Sequence, residues 1–387
     1  MPAFNSRIQK ALVDRREQGL NRQLNVLKSV SRSEIEFDSK IYSNFSSNDY
    51  LGLANDLELV SAWQGGLSQY GAGSGASPLV TGFSAAHQNL ESQLCEWLGY
   101  ERAILFSSGF SANQALLFSL LDKNDTLIQD RLNHASLMEA GALSPAKMKR
   151  FKHNDVAHLA SQLAVSENAL VVTEGVFSMD GDQAPLTAVA RVTEQCDAWL
   201  AVDDAHGIGI LGEHGAGSCA AAGIKPELLV VTFGKAFGLS GAAILCSKEV
   251  GDYLTQFARH HVYSTAIPPA QAFTLSTACQ MIQTQQWRRD KLNELQAIYH
   301  EGVKGLTGYI ETNTPIKPFM VGQSEHAINI ANRMKESGIW MTAIRPPTVP
   351  VGTARLRITL TANHSPEQVS QLTHSLKSAL ETQREVE

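Results

Sequence analysis

Short apolar runs recur between residues 103 and 245, separated by stretches whose apolar residues fall at helical spacing. Residues 103–106, 126–128, 169–172, 199–202, 228–231 and 242–245 read as buried strands, because near-continuous apolar runs of this length suit strands covered on both faces. Residues 84–98 predict a helix: Leu90, Leu94, Trp97 and Leu98 share one face, and Gly99 closes it. Strands alternating with helices imply a mostly parallel central sheet with helices on both faces. At the N-terminus, Ile8, Ala11, Leu12, Leu20, Leu24 and Leu27 trace an amphipathic helix interrupted at Gly19 and expected to pack on the main body.

Beyond residue 280 the texture changes. Residues 283–306 read as a charged linking helix, followed by short strands at 316–321, 338–343 and 355–360. Ser365-Pro366-Glu367-Gln368 is a capping box with Pro at the first helical position, and Val369, Leu372, Leu376 and Leu380 give the last helix one apolar stripe. The expected organisation is an N-terminal arm (1–44), a large α/β domain (45–280) and a small C-terminal α+β domain (281–387).

The bulk numbers narrow the function. A length of 387 residues fits roughly two domains. A net charge of −6 with pI near 6.1 argues against a nucleic-acid binder. No apolar run approaches the ~18 residues of a membrane span, and the first ten residues lack the apolar core of a signal peptide. Cys95, Cys196, Cys219, Cys246 and Cys279 are scattered without a CxxC pair, which fits reduced thiols in a cytosolic protein and offers no zinc motif.

Chemistry gathers where strands end. Val202-Asp203-Asp204-Ala205-His206-Gly207 follows one strand, and Thr232-Phe233-Gly234-Lys235-Ala236-Phe237-Gly238 follows another about thirty residues later. Singly, each is more often a helix cap or a turn with a solvated lysine. Together, a Lys able to bind an aldehyde and an Asp able to pair with a protonated pyridine nitrogen suit pyridoxal phosphate (PLP). The Gly-Lys pair is not a P-loop, since Ala236 follows Lys235 and Leu229 stands where the first glycine belongs.

Other segments join this reading. Ser107-Ser108-Gly109-Phe110-Ser111-Ala112-Asn113, between a strand and a helix, offers free backbone N–H groups to a phosphate. His134 can stack on a flat ring, although a lone His is more often a cap. Ser178 can donate to a phenolate oxygen. Arg355 and Arg357 alternate along a strand and face the same way, suited to a carboxylate or, equally, to a salt bridge. Gly71-Ala72-Gly73-Ser74-Gly75-Ala76 formally fits the G-x-G-x-x-G/A dinucleotide fingerprint, but the polar, helix-like residues before it are not the required strand, which argues against a dehydrogenase.

These segments, with Asn44-Phe45-Ser46-Ser47-Asn48-Asp49-Tyr50-Leu51-Gly52 and residues 173–181, resemble the α-oxoamine synthases, PLP-dependent enzymes of fold type I, over nearly the whole chain. The resemblance implies a PLP-dependent transferase fold with Lys235 carrying the cofactor. It implies that Asp203 pairs with the pyridine nitrogen, that His206 and Ser178 contact the ring oxygen, and that His134 stacks on the ring. Gly109, Phe110 and Thr232 are implied at the phosphate, joined by Ser264 and Thr265 from the other subunit of a cytoplasmic homodimer with shared sites. Arg357 is implied to hold the amino-acid carboxylate, Asn48 to lie near the reacting groups, and Arg22 and Thr348 to contact the acyl substrate. Residues 342–361 resemble the biotin-pathway branch, which joins L-alanine to pimeloyl-CoA or a pimeloyl carrier protein. The alternative is a glycine-using relative of the glycine C-acetyltransferase or 5-aminolevulinate synthase type. The loop at 73–82 departs from the family pattern at Pro78 and Leu79.

Overall fold

The computed structural model describes residues 4–18, 20–22 and 24–386. Its centre is a seven-stranded sheet in the spatial order Arg102–Phe106, Ala242–Cys246, Leu228–Thr232, Trp199–Asp203, Ala169–Glu174, Thr126–Asp130, Lys147–Phe151. Six strands run in one direction and Ala242–Cys246 runs against them. The apolar runs are continuous because both faces are covered: Leu228 and Val230 pack into one core, Leu229 and Val231 into the other. Each such side chain contributes roughly 1.5–3 kcal/mol by leaving water. All six predicted strands are present, extended by one or two residues. The edge strand Lys147–Phe151 was not foreseen, because Lys-Met-Lys-Arg-Phe has the charge of an edge rather than the apolar run of a core strand.

The helix Ala85–Leu98 ends at Gly99, whose left-handed φ of 75° suits glycine. The glycine-rich loop is preceded by the helix Leu57–Tyr70, not by a strand. A four-stranded sheet joins the N-terminal strands Lys28–Ser29, Glu34–Phe37 and Lys40–Asn44 to Ile339–Trp340, and a three-stranded sheet contains Ile316–Gly322, Ala354–Thr359 and Thr342–Ile344. The expected capping box forms: Ser365 Oγ accepts from Gln368 N at 3.2 Å and Gln368 Oε1 from Ser365 N at 2.9 Å, opening the helix Pro366–Val386.

The N-terminal reading needs two corrections. The helix spans only Asn5–Glu17, and residues 20–22 and 24–27 are not helical; Gly19, the expected interruption, lies outside the described residues. Its residues are all exposed rather than packed on the body, because its apolar positions are too sparse to form a burying stripe.

Candidate active site

The carboxyl ends of the parallel strands open onto one cavity of about 280 Å³, where ligands of open α/β sheets bind. Lys235, Asp203, His206, Thr232, Gly109, Phe110, His134 and Asn48, all singled out from the sequence, line it.

Asp203 ends the strand Trp199–Asp203. Its Oδ2 accepts from Asn113 Nδ2 at 2.7 Å and its Oδ1 from Ala205 N at 3.0 Å, so the carboxylate is held by two donors. Neighbouring Asp204 points elsewhere: it accepts from Ser218 N at 2.8 Å and from the Ser218 hydroxyl, and burial lifts its carboxyl to about 7. Alternation along a strand explains why two adjacent aspartates have different surroundings.

Burial lowers the Lys235 ammonium, opposed by Asp203 and Glu174 and reinforced by Arg357. Burial also pushes His206 well below its ordinary value, with Lys235 and Arg357 adding to the effect. Glu174, at the end of Ala169–Glu174, is raised well above the usual carboxylate range by burial and by Asp203, and its side chain accepts from His134 N.

At the other end of the cavity the helix Gly109–Leu120 begins. Ser108 caps it, its Oγ accepting from Ser111 N at 3.1 Å. A Cβ on Gly109 would stand 2.6 Å from Thr232 Cγ2, so glycine keeps this approach open. Thr232 Oγ1 is buried and without a hydrogen-bond partner. Leaving such a hydroxyl unpaired costs about 1–3 kcal/mol, and an anion at the helix start would pair it and meet the favourable end of the helix dipole. A buried lysine, a carboxylate fixed by two donors and an orphan hydroxyl beside a helix start fit PLP at its aldehyde, its pyridine nitrogen and its phosphate.

His134 lines the cavity and caps the helix Ala135–Leu143, its Nδ1 accepting from Ser136 N at 3.3 Å. Arg357 stands beside the cavity, Nη2 donating to Asn48 Oδ1 at 3.1 Å and Nε to the Ser178 carbonyl at 2.7 Å. Ser178 and Thr348 line a second cavity of about 460 Å³. Arg355 faces that cavity and is ion-paired with Asp180, so the two arginines share a side but not a role.

Ser264 and Thr265 lie outside the first cavity, on a segment tied to the glycine-rich loop by Ala266 N to Ala76 O at 3.0 Å. Arg22 is exposed and lines neither cavity, and neither do Pro78 and Leu79. Sequence reasoning assigned no role to Asn113, Glu174 or Tyr50. Asn113 had a usable signal: four residues after Gly109 on a helix, it shares that glycine's face.

Comparison with known proteins agrees with this geometry. Residues 40–376 match the family described as aminotransferase class I and II. The chain is 71% identical over 381 residues to an 8-amino-7-oxononanoate synthase of Vibrio atlanticus (strain LGP32), covering 98% of this chain and 94% of that one. Among solved structures, it is similar to a serine palmitoyltransferase from S. paucimobilis with bound PLP-myriocin aldimine (27% identity, TM-score 0.91, 98% of each chain). It is also similar to an 8-amino-7-oxononanoate synthase from Francisella tularensis (29% identity, TM-score 0.77, 88% of this chain and 98% of that one). The chain therefore belongs to the aminotransferase class I and II family of PLP-dependent enzymes and, within it, to the 8-amino-7-oxononanoate synthases of biotin synthesis.

Proposed function

We propose that this site condenses L-alanine with pimeloyl-CoA or a pimeloyl carrier protein, releasing CO2 and the carrier thiol and leaving 8-amino-7-oxononanoate. The observation that carries the reading is the convergence of Lys235, Asp203 and the start of the helix Gly109–Leu120 on one cavity, in a chain 71% identical to a synthase of that name. PLP, when bound, supplies an electron sink for the alanine Cα.

The protein's own groups do the rest. Lys235 would hold the cofactor at its aldehyde carbon, and its free amine would take the alanine Cα proton as general base; the burial that lowers its pKa favours the unprotonated amine this role needs. Asp203, fixed by Asn113 and Ala205, keeps a proton on the pyridine nitrogen. His134 would lie against the ring, and His206, with Ser178 reaching over from the neighbouring cavity, would hold the ring oxygen. Gly109, Phe110 and Thr232 bind the phosphate. Arg357 grips the amino-acid carboxylate, with Asn48 beside the reacting groups, and Arg22 and Thr348 contact the acyl chain.

The working unit in this reading is a cytoplasmic homodimer. The position of Ser264 and Thr265 outside their own chain's cavity supports their reaching the phosphate bound by a second copy. Among the described residues, no helix is long and apolar enough to cross a membrane.

The test is thiol release by the PLP-loaded protein with alanine or glycine crossed against pimeloyl-CoA or acetyl-CoA, with Lys235→Ala as control. Release with alanine and pimeloyl-CoA, abolished in the control, is expected. Release with glycine and acetyl-CoA instead would overturn the substrate assignment.

A further inference from the structure

His153 follows the edge strand Lys147–Phe151 and does not line the cavity around Lys235. Both of its ring nitrogens face carboxylates: Nδ1 is 3.0 Å from Asp130 Oδ1, and Nε2 is 2.7 Å from Asp182 Oδ2. A neutral imidazole has one N–H and would set a lone pair against one of these oxygens; an imidazolium donates to both. Asn154 Nδ2 also lies 3.3 Å from Nε2, but it donates at 2.9 Å to the same Asp182 oxygen. Phe177 packs edge-on against the ring at 4.4 Å. The remaining charged groups nearby are Lys152, adjacent in the chain, and Arg131, Asp180 and Arg355 around the second cavity, the last two paired with each other.

The two carboxylates belong to different segments, Asp130 at a strand end and Asp182 in a loop, and each leads to a group of the site. Asp130 ends its strand and organises the turn toward His134, accepting from Leu132 N at 2.8 Å and Asn154 N at 2.9 Å. Asp182 closes the loop that carries Ser178, its carbonyl accepting from Phe177 N at 2.9 Å. The same loop presents the Ser178 carbonyl to Arg357.

We propose that His153 is a positioning residue: as an imidazolium it fastens the His134 loop to the Ser178 loop, and so sets the spacing of the groups that grip the cofactor ring and Arg357. Burial opposes the charge, but the bonds to Asp130 and Asp182 outweigh it and lift the imidazole to about 9. The clamp stands on geometry alone, whereas its effect on turnover rests on the function proposed above.

Two measurements on the PLP-loaded protein test the clamp without any substrate. In 15N-histidine NMR, the resonance missing from His153→Gln is expected to be an imidazolium at pH 7.5; a neutral ring there overturns the proposal. Amide hydrogen exchange over residues 131–134 and 177–183 is expected to be at least tenfold faster in His153→Gln, and unchanged exchange overturns it. Asp182→Asn is a second variant should His153→Gln fold poorly. Loss of one carboxylate is expected to move the His153 titration to lower pH, and an unmoved titration counts against the clamp.

For catalysis, His153→Gln is expected to lower kcat/KM about tenfold and to change the cofactor's visible absorbance. Its effect should be non-additive with Ser178→Ala, since both act through one loop. Full additivity overturns the positioning role. Expected NMR and exchange results beside a failed alanine and pimeloyl-CoA assay would sink the substrate reading and leave the clamp intact.

Discussion

Tyr50 Oη lies 2.7 Å from His206 Nδ1, with both side chains buried. The same hydroxyl is 3.3 Å from Asn48 Oδ1, which accepts from Arg357 Nη2 at 3.1 Å. A polar chain thus runs from the strand Ala354–Thr359, through the turn at 48–50, to the segment that carries Asp203 and His206. The turn is itself anchored: Arg288 donates to the Leu51 carbonyl at 2.9 Å and pairs with Asp56 at 2.8 Å. One hydrogen-bonded chain therefore joins Arg357, expected at the amino acid, to His206, expected at the cofactor.

Tyr50→Phe keeps the ring and removes the hydroxyl. A buried His206 nitrogen left without its partner costs about 1–3 kcal/mol. The urea midpoint of the apoprotein is expected to fall, and the PLP-loaded enzyme to lose roughly tenfold in kcat/KM, an order of magnitude being about 1.4 kcal/mol. Unchanged values in both would show that His206 is oriented by other contacts.

Asn113→Ala removes the amide 2.7 Å from Asp203 Oδ2 and also the contact of Asn113 Nδ2 with Ser136 Oγ at 2.9 Å. Hydrogen bonds to charged groups contribute about 1.5–3 kcal/mol, so PLP affinity is expected to drop at least tenfold in a fluorescence titration. An unaltered affinity would mean that the Ala205 N–H suffices to hold the carboxylate.

Arg357→Lys keeps a positive charge and loses the planar fork that reaches Asn48 and the Ser178 carbonyl at once. Alanine affinity, followed by the change in cofactor absorbance, is expected to weaken roughly ten- to hundredfold, equivalent to about 1.5–3 kcal/mol. A wild-type affinity would move carboxylate binding to another residue.

His364 gives a pH signature away from the site. Its Nδ1 accepts from Thr361 N at 3.1 Å, its Nε2 bonds the Asn44 carbonyl at 3.0 Å, and its ring stacks on Phe45 at 4.2 Å. Burial lowers it from 6.5 to about 4, partly opposed by the bond to Asn44. The folded state thus resists a proton that the unfolded state accepts. The stability contributed is present above pH 6.5 and is lost as pH falls toward 4, on the order of 2 kcal/mol between pH 7 and 5. Urea unfolding of His364→Gln is expected to be less stable at pH 7 and to lose less on acidification than wild type. Parallel pH curves would remove His364 from the acid response.

Much of the site was legible because its chemistry sits beside local signals. Asp203, Thr232 and Lys235 lie at or just past apolar runs whose length marks buried strands, and Gly109 opens a helix after another. The edge strand Lys147–Phe151 escaped because its charges hide its strand character, and with it went the position of His153. The N-terminal helix is shorter than its spaced leucines suggest, since such spacing alone does not ensure a buried face.

By itself the sequence determined six of the seven central strands and the residues offered at their ends, because periodicity and turn chemistry act over a few residues; the order of the strands in the sheet was left to the tertiary fold. Only the tertiary structure decided the partners across the site. Tyr50 meets His206 across 156 positions and Arg357 meets Asn48 across 309. Asn113 reaches Asp203 across 90 positions and His153 bridges two loops, contacts created when strands distant in sequence become neighbours in one sheet.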